Sequence, residues 1–348
     1  PMDVAGLGPA AHLKGRCQLS RPHHVVGHIL GASNAPAMMP VASTSVIFER
    51  SLHDSFNGIG SPWDLISLAS ADGGRAHSLR EGFAELNRTV SEVRYAVIPI
   101  ETPYWLPGTD VEGVLTANLR NRLIEGDVVV FSEKALSTAR GSIVDESEVV
   151  PGLGALFLAL VWMRIIWGYF LGPLCRMRRR SLRWIRRYPI EAASHKQLVL
   201  RFAGPIQALR HGSEGGIDVS NLPFAYSSLP LPNPVGTSED LRGFLHGLTG
   251  MNVAAMIVDS DKTYSILGLH FTPRPRPMRG IVCLGPIAYV IGRALNLRRR
   301  ATPLAISGGQ IAGVDEALDI AELAGNARGH GAGRTAWEMA ERFGVGLT

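Results

Sequence analysis

The sequence predicts a mixed α/β fold, and three observations carry that expectation. Val128–Ser132 (VVVFS) is an uninterrupted apolar and β-branched run, as expected of a strand buried on both faces. Asn252–Val258 is a second buried strand, and Tyr95–Ile100 (YAVIPI) alternates as a third. Helical segments, Val111–Leu123 and Thr237–Gly247, stand between and before these strands, so strand and helix alternate along the chain.

The elements follow in order. Residues 1–90 are rich in Ala, Gly, Ser, Pro and His, with weak periodicity, and are taken as an accessory N-terminal region ahead of a domain at 91–348. Their one patterned stretch is Leu79–Val93, an amphipathic helix with Leu79, Phe83, Leu86 and Val90 on one face. His23, His24 and His28 fit no recurrent zinc spacing and read as loop residues. Asp110 caps the helix Val111–Leu123. The block Ser132–Gly141 delivers Lys134, Ser137, Thr138 and Arg140 off the buried strand, where α/β proteins place ligand contacts. A plain helix start is an equal reading. His195–Phe202 reads as a strand and Pro205–Arg210 as helical. Thr237 or Ser238 caps the helix that follows. His270–Pro277 is proline-locked and expected to be irregular. Gly280–Leu295 turns helical in its second half, Pro303–Ser307 is a short strand, and Val314–Ala327 is an amphipathic helix with acids in its first turn. Thr335–Phe343 is a last helix.

Composition bounds the function. Of 348 residues, 46% are hydrophobic and 19% charged, a globular balance. The three cysteines Cys17, Cys175 and Cys283 form no CxxC pair, which argues for a reducing, cytoplasmic setting and against a cysteine-rich zinc site. No secretory signal is visible. The net charge of +5 is concentrated: seven arginines lie between Arg176 and Arg187, and three more at Arg298–Arg300. Such clusters suit anionic partners, phosphates ahead of nucleic acid, although Leu182, Trp184 and Ile185 can simply pack inward and leave the arginines wet. Gly152–Pro173 approaches the ~20 apolar residues a membrane span requires. Arg164 in its middle, costing about 2.5–3.5 kcal/mol in a bilayer, and four glycines favour a buried or dimer-interface helix over a membrane-associated one.

The chemistry gathers around His211–Pro234 (HGSEGGIDVSNLPFAYSSLPLPNP). Asp218 sits there in an Asp-x-Ser-Asn turn, and Asp259 and Asp261 follow the strand Asn252–Val258. Oxygen-only ligands on turns suit Mg²⁺ or Mn²⁺ held together with substrate phosphates. Asp218 capping its own turn and Asp259 capping a strand end is the competing account, and spacing leaves both open.

The blocks IPIETPYWLPGTD, EGDVVVFSEKALSTARG, GIDVSNLPFAYSSLPLPNP and MIVDSDKTY, in this order from about Tyr95 to Ala324, resemble the coenzyme F420-0:L-glutamate ligase (gamma-glutamyl ligase) family. The resemblance implies an intertwined homodimer binding GTP, or ATP, and Mn²⁺ or Mg²⁺ near the subunit interface. It implies amide ligation through an acyl phosphate, joining an amino acid to a carboxylate. On it, Asp218 and Asp259 fall on metal-binding aspartates, with Asp261 a further acid beside them. Glu316 falls near another family acid. Ser220 and Asn221 complete the turn, Lys134 and Ser137 match the strand-end block, and Arg293 matches in Ile291-Gly292-Arg293. Glu214 precedes the motif and is expected to be structural. The chain departs at Ser137-Thr138-Ala139-Arg140-Gly141 and at Asp259-Ser260-Asp261-Lys262-Thr263, where a Gly–Arg pair is missing and the cation Lys262 is gained. A divergent member is therefore expected. A non-catalytic protein that keeps the fold to bind a nucleotide, a deazaflavin or RNA is the alternative.

Overall fold

The computed structural model describes residues 43–51 and 94–328, apart from 221, 223, 224, 310 and 312, all within the compact unit Pro40–Thr348. The expected helices at 79–93 and 335–343, the histidines 23, 24 and 28, and Asn221 lie outside the described residues.

The sheet is built around β3 (Val128–Ser132) and β6 (Ala254–Ile266), which pair in parallel from Val128↔Ala254 to Ser132↔Val258. On the far side of β3 lies β1 (Ser43–Ser51), antiparallel to both β3 and β2 (Arg94–Thr102). β1 precedes residue 91 in the chain and is nonetheless hydrogen-bonded into this sheet, between β2 and β3. On the other side, β6 pairs antiparallel with β9 (Arg298–Ser307) and, through its second half, with β7 (Leu269–Thr272). β8 (Val282–Cys283) extends β7 in parallel. A separate two-stranded ladder joins β4 (Ile143–Asp145) to β5 (Tyr226–Ser228).

Alternation along β3 and β6 sends successive side chains to opposite faces. Val129, Phe131, Ala255 and Ile257 meet α1 (Val111–Leu119) and α7 (Pro234–Thr249) through Leu115, Leu119, Leu241 and Leu245. Val128, Val130, Ala254 and Met256 meet α9 (Val314–Arg328) through Ala317, Ile320, Ala321 and Ala324. Helices therefore cover both faces of the central strands, the arrangement their apolar sequences require.

Between β4 and β5 the chain inserts a helical layer. α3 (Leu153–Leu174) is α-helical at its ends and π-helical over Leu158–Leu171. It is followed by α4 (Arg179–Arg186), α5 (Ala193–Phe202) and the short α6 (Gly204–Ala208). α2 (Glu133–Ala139) leaves β3 directly, and α8 (Pro286–Ala294) precedes β9.

Expectations change at several elements: His270–Thr272, expected to be irregular, lie in β7, β9 starts at Arg298 and not at Pro303, and the helix expected to reach Leu123 ends at Leu119. Residues 195–202 are helical, as part of α5, because the buried set His195, Lys196, Leu198 and Val199 recurs with a helical period. The strand expected to stop at Val258 continues to Ile266, taking up the acids 259–261 in a bulge against β9. α7 begins at Pro234, with Asn233 Oδ1 accepting from Gly236 N at 3.0 Å. Ser238 Oγ instead donates to the Ala255 carbonyl at 2.7 Å. Trp184 is 44% exposed, whereas Ile185 is fully buried.

Candidate functional site

Because β3 and β6 are parallel and in register, Ser132 lies beside Val258 and both strands deliver their next residues to one edge of the sheet. Carboxyl ends of parallel strands are where α/β folds bind ligands. Glu133 and Lys134 leave β3 in the first turn of α2, and Asp259 and Asp261 occupy the bulge of β6. The loop after α6 contributes Arg210, Glu214, Asp218 and Ser220, the chain after β7 contributes Arg274, and the end of α9 contributes Arg328.

The geometry is one of carboxylates each met by a cation of the same chain. Lys134 Nζ donates to Asp218 Oδ2 at 2.5 Å and to the Ser220 carbonyl and Oγ at 2.6 and 2.7 Å. Asp218 also closes its own turn, with Oδ1 accepting from Ser220 N at 2.8 Å. Its backbone pairs with Ser228 of β5, which fixes the turn to the ladder. Arg210 grips Asp261 with two bonds of 2.7 and 2.9 Å, the planar fork matching the carboxylate. Arg274, 2% exposed, donates from Nη2 to Glu133 Oε1 at 2.6 Å and from Nη1 to the Gly215 carbonyl at 2.8 Å. Its Nε stands 2.7 Å from Asp259 Oδ2, but that oxygen is buried without an aligned hydrogen bond among the described residues. Arg328 donates to Ser132 Oγ at 3.3 Å, and its Nε is buried without a partner among the described residues.

Electrostatics separates the two key aspartates. Burial pushes the Asp218 carboxyl up, but the Lys134 ammonium outweighs it and holds the group below its ordinary value. Burial and then the Asp261 charge push Asp259 up to about 7, against the pull of Arg274. The charges of both Asp259 and Asp218 reach the Arg328 guanidinium, which burial pulls down from its ordinary value.

A second buried network holds the loop in place. Glu214 accepts from Lys196 Nζ at 2.6 Å and meets His195 Nε2 at 2.8 Å, while His195 Nδ1 meets Glu146 Oε1 at 2.5 Å. Ser227 Oγ donates to the same Glu146 oxygen. Lys196 Nζ also donates to the Arg210 carbonyl at 2.7 Å, tying this network to the arginine that grips Asp261.

Of the expected site residues, Lys134, Asp218 and Ser220 are in direct contact, and Asp259 Oδ1 accepts from Asp261 N at 3.2 Å. Ser137, on the inward side of α2, is buried, and its hydroxyl has no partner among the described residues. Lys262, 41% exposed, pairs with Glu322 at 2.8 Å, and Arg293 donates to the Cys175 carbonyl. Glu316 accepts from Tyr95 Oη at 2.5 Å near the start of α9, and twelve residues of helix, about 18 Å, separate it from Arg328. The resemblance pointed to neither Glu133, Arg210, Arg274 nor Arg328. Glu133 stands next to Lys134, and the proline-rich surroundings of Arg274 marked a rigid loop, but nothing local ties either to its partner.

The donor set fits a divalent cation in part. Among the described residues no three His, Cys, Asp or Glu side chains form a ready cage. Mg²⁺, however, uses one or two carboxylates and completes its shell with water and substrate phosphates. Asp259, whose Oδ2 is ion-paired with Arg274 but has no aligned hydrogen bond among the described residues, and Asp218, whose oxygens are held by Lys134 and Ser220, are the two candidate carboxylates. Both oxygens of Asp261 are engaged by Arg210.

Two comparisons bear on this site. The description F420-0:Gamma-glutamyl ligase belongs to a family whose sequence pattern matches residues 99–272, a span holding Glu133, Lys134, Arg210, Asp218, Asp259 and Asp261. An uncharacterized protein of Methanocaldococcus jannaschii is 35% identical over 224 residues, covering 61% of this chain and 76% of that protein.

Proposed function

The chain belongs to the F420-0:gamma-glutamyl ligase family, and from that membership we propose a nucleotide- and divalent-metal-dependent ligase that joins an amino acid such as L-glutamate to a carboxylate acceptor. The observation that carries the proposal is the Lys134–Asp218–Ser220 contact at the end of β3, with Asp259 just past the matching end of the parallel pairing on β6 and the charges of both aspartates reaching Arg328. Asp218 and Asp259 are the residues that would hold a divalent cation, and such an ion would supply positive charge to offset the negative charge developing on a transferred phosphoryl group. In the first step an acceptor carboxylate oxygen bonds to the γ-phosphorus and the nucleoside diphosphate leaves. In the second the amine attacks the acyl carbon, inorganic phosphate leaves, and the amine gives up a proton.

The residues of this chain position those groups. Lys134, held by Asp218 and Ser220, brings an ammonium to the edge where phosphates would lie. Arg328 offers a guanidinium at the same edge. Arg274 and Arg210 keep Glu133 and Asp261 fixed, so that the two remaining aspartates are held in a rigid frame. The test is phosphate release by the full chain with Mn²⁺, GTP or ATP, L-glutamate and a set of carboxylates that includes F420-0. Release that needs both the acceptor and the amine is expected, and Asp218→Asn or Asp259→Asn should lower kcat about 10²–10³-fold, the scale for losing one electrostatic element of such a site. Absence of release across the whole set removes the ligase reading.

One observation favours a second reading. Every site carboxylate already has a cationic partner, as in a protein that keeps the fold to bind a nucleotide or deazaflavin without turnover. Calorimetric GTP binding that is tight, metal-independent and unaccompanied by phosphate release would select it.

A further inference from the structure

We propose that the hairpin of α3 and α4 is a docking surface for the anionic face of a phospholipid membrane. Charge is the first observation. Residues 151–190 hold eight arginines and no aspartate, glutamate or lysine; the whole chain carries +5, so the remainder is −3 and the positive charge is local to this layer. All seven arginines from Arg176 to Arg187 are exposed.

The second observation is what the arginines border. α3 has a face sealed into the protein by Ala155, Ala159, Met163 and Trp167, none of them exposed. On the outward face Leu153, Phe157, Val161, Ile165, Phe170 and Leu174 recur every four or five residues along the widened π turn, and all are exposed, Leu153 by 86% and Phe170 by 64%. The stripe and the arginines are held edge to edge by close packing. A Cβ on Gly168 would lie 2.9 Å from Arg186 Cγ, and one on Gly172 would lie 2.5 Å from Leu182 Cδ2, so both glycines let α4 seat directly on α3. Arg186 Nε donates to the Gly168 carbonyl at 2.9 Å while its guanidinium covers the Tyr169 ring at 4.4 Å. Half-exposed Trp184 sits on the same hairpin, and aromatic rings suit the boundary between acyl chains and headgroups.

An apolar stripe bordered by arginines and aromatics is the pattern of a helix lying in the plane of a bilayer surface. The sealed face and Arg164, whose Nε and Nη2 donate to the Tyr188 carbonyl at 2.8 and 2.6 Å, are incompatible with lipid all round the helix, so α3 lies on the membrane rather than spanning it. A second copy fits less well, because a two-fold contact would face one acid-free basic hairpin with another. Nucleic acid would satisfy the arginines but leave the aliphatic stripe against phosphates.

The full chain is to be co-sedimented with vesicles of phosphatidylcholine, alone or mixed with phosphatidylglycerol. Binding to the mixed vesicles only, weakening as salt rises, is expected. Each arginine near such a surface contributes about fivefold to partitioning, so replacing Arg179, Arg180 and Arg183 with Gln should lower it roughly a hundredfold. Phe157→Ser with Phe170→Ser should lower it about tenfold or more through lost apolar insertion. All five side chains are exposed, and an unchanged thermal midpoint verifies folding; if a variant fails to fold, the lipid and salt comparison on the unmodified chain decides. Protein that stays in the supernatant with mixed vesicles overturns the proposal. Equal binding to phosphatidylcholine alone overturns it as well. So does light scattering in which the phenylalanine substitutions split a dimer, or tight binding of a single-stranded RNA that those substitutions leave intact.

Discussion

Arg274 shows how much of the site depends on one side chain meeting partners far away in sequence. It reaches Glu133 across 141 residues and stands against Asp259, and Gly216 exists in a form that admits it. Gly216 has φ +91°, and a Cβ there would lie 2.3 Å from Arg274 Cζ. Gly216→Ala should therefore combine left-handed strain of about 1–2 kcal/mol with overpacking of about 1–3 kcal/mol. Gly108 has φ +82° with nothing within 4 Å of a built Cβ, so Gly108→Ala should lose only the strain. Urea denaturation of the two variants separates the contributions, and equal losses would deny the packing role. Arg274→Met leaves two buried carboxylates without their cation and should cost about 3–5 kcal/mol, the scale for breaking a buried pair from one side. The aspartates of the Gly-Ile-Asp-x-Ser-Asn and Asp-Ser-Asp stretches were legible in sequence because turn residues and a strand end announce themselves locally. The cations that meet them were not, since Lys134–Asp218 and Arg274–Glu133 are made by topology.

At the scale of elements, the sequence was legible wherever burial is apolar and failed where it is charged. β3, α1 and α9 follow their patterns because valine, leucine and alanine mark their inward faces. α5 was read as a strand because two of its inward positions are His195 and Lys196, which a polarity pattern counts as solvent-facing. Those two residues have a measurable consequence. Burial alone would lower the His195 pKa, but the charges of Glu214 and Glu146 outweigh it and raise it from 6.5 to about 10. A raised folded-state value means that the contribution to stability is complete below pH 6.5 and disappears as pH rises toward 10. Glu214 acts in the opposite sense: burial raises it, Lys196 and His195 outweigh burial, and it is held well below 4.5, so its contribution is lost on acidification. Stability should thus be greatest near pH 4.5–6.5 as far as this network decides, and the urea midpoint should fall steadily between pH 6.5 and 9. His195→Gln should lower the midpoint at pH 6 and flatten the slope above it. An unchanged slope in that variant would place the alkaline loss elsewhere.

Across the whole molecule, two cores of different character share one chain. The central strands are covered on both faces and their contacts span distant segments, from β1 to α9. The helical layer has its own cluster of Ala159, Met163, Trp167, Ile185 and Tyr188, and it leaves one side of α3 open. Elements with few neighbours and exposed backbone open at lower free energy than a doubly covered sheet. Native-state hydrogen exchange should therefore rank the amides. Those of Val129, Val130, Ala255 and Met256 should exchange only on global unfolding. Those of α4 should exchange through a smaller opening that exposes Ile185 and leaves β3 and β6 closed. The two classes should also respond differently to ligand. On the proposed function, GTP with Mn²⁺ binds at the edge shared by β3 and β6 and should raise protection in the sheet by up to about 2.7 kcal/mol at a hundredfold excess over Kd, by mass action on the global opening. The opening of α4, which leaves that edge intact, should keep its free energy. If α4 instead gains as much protection as the sheet, hairpin and site unfold as a single unit. Surface docking by the hairpin would then be coupled to occupancy of the site.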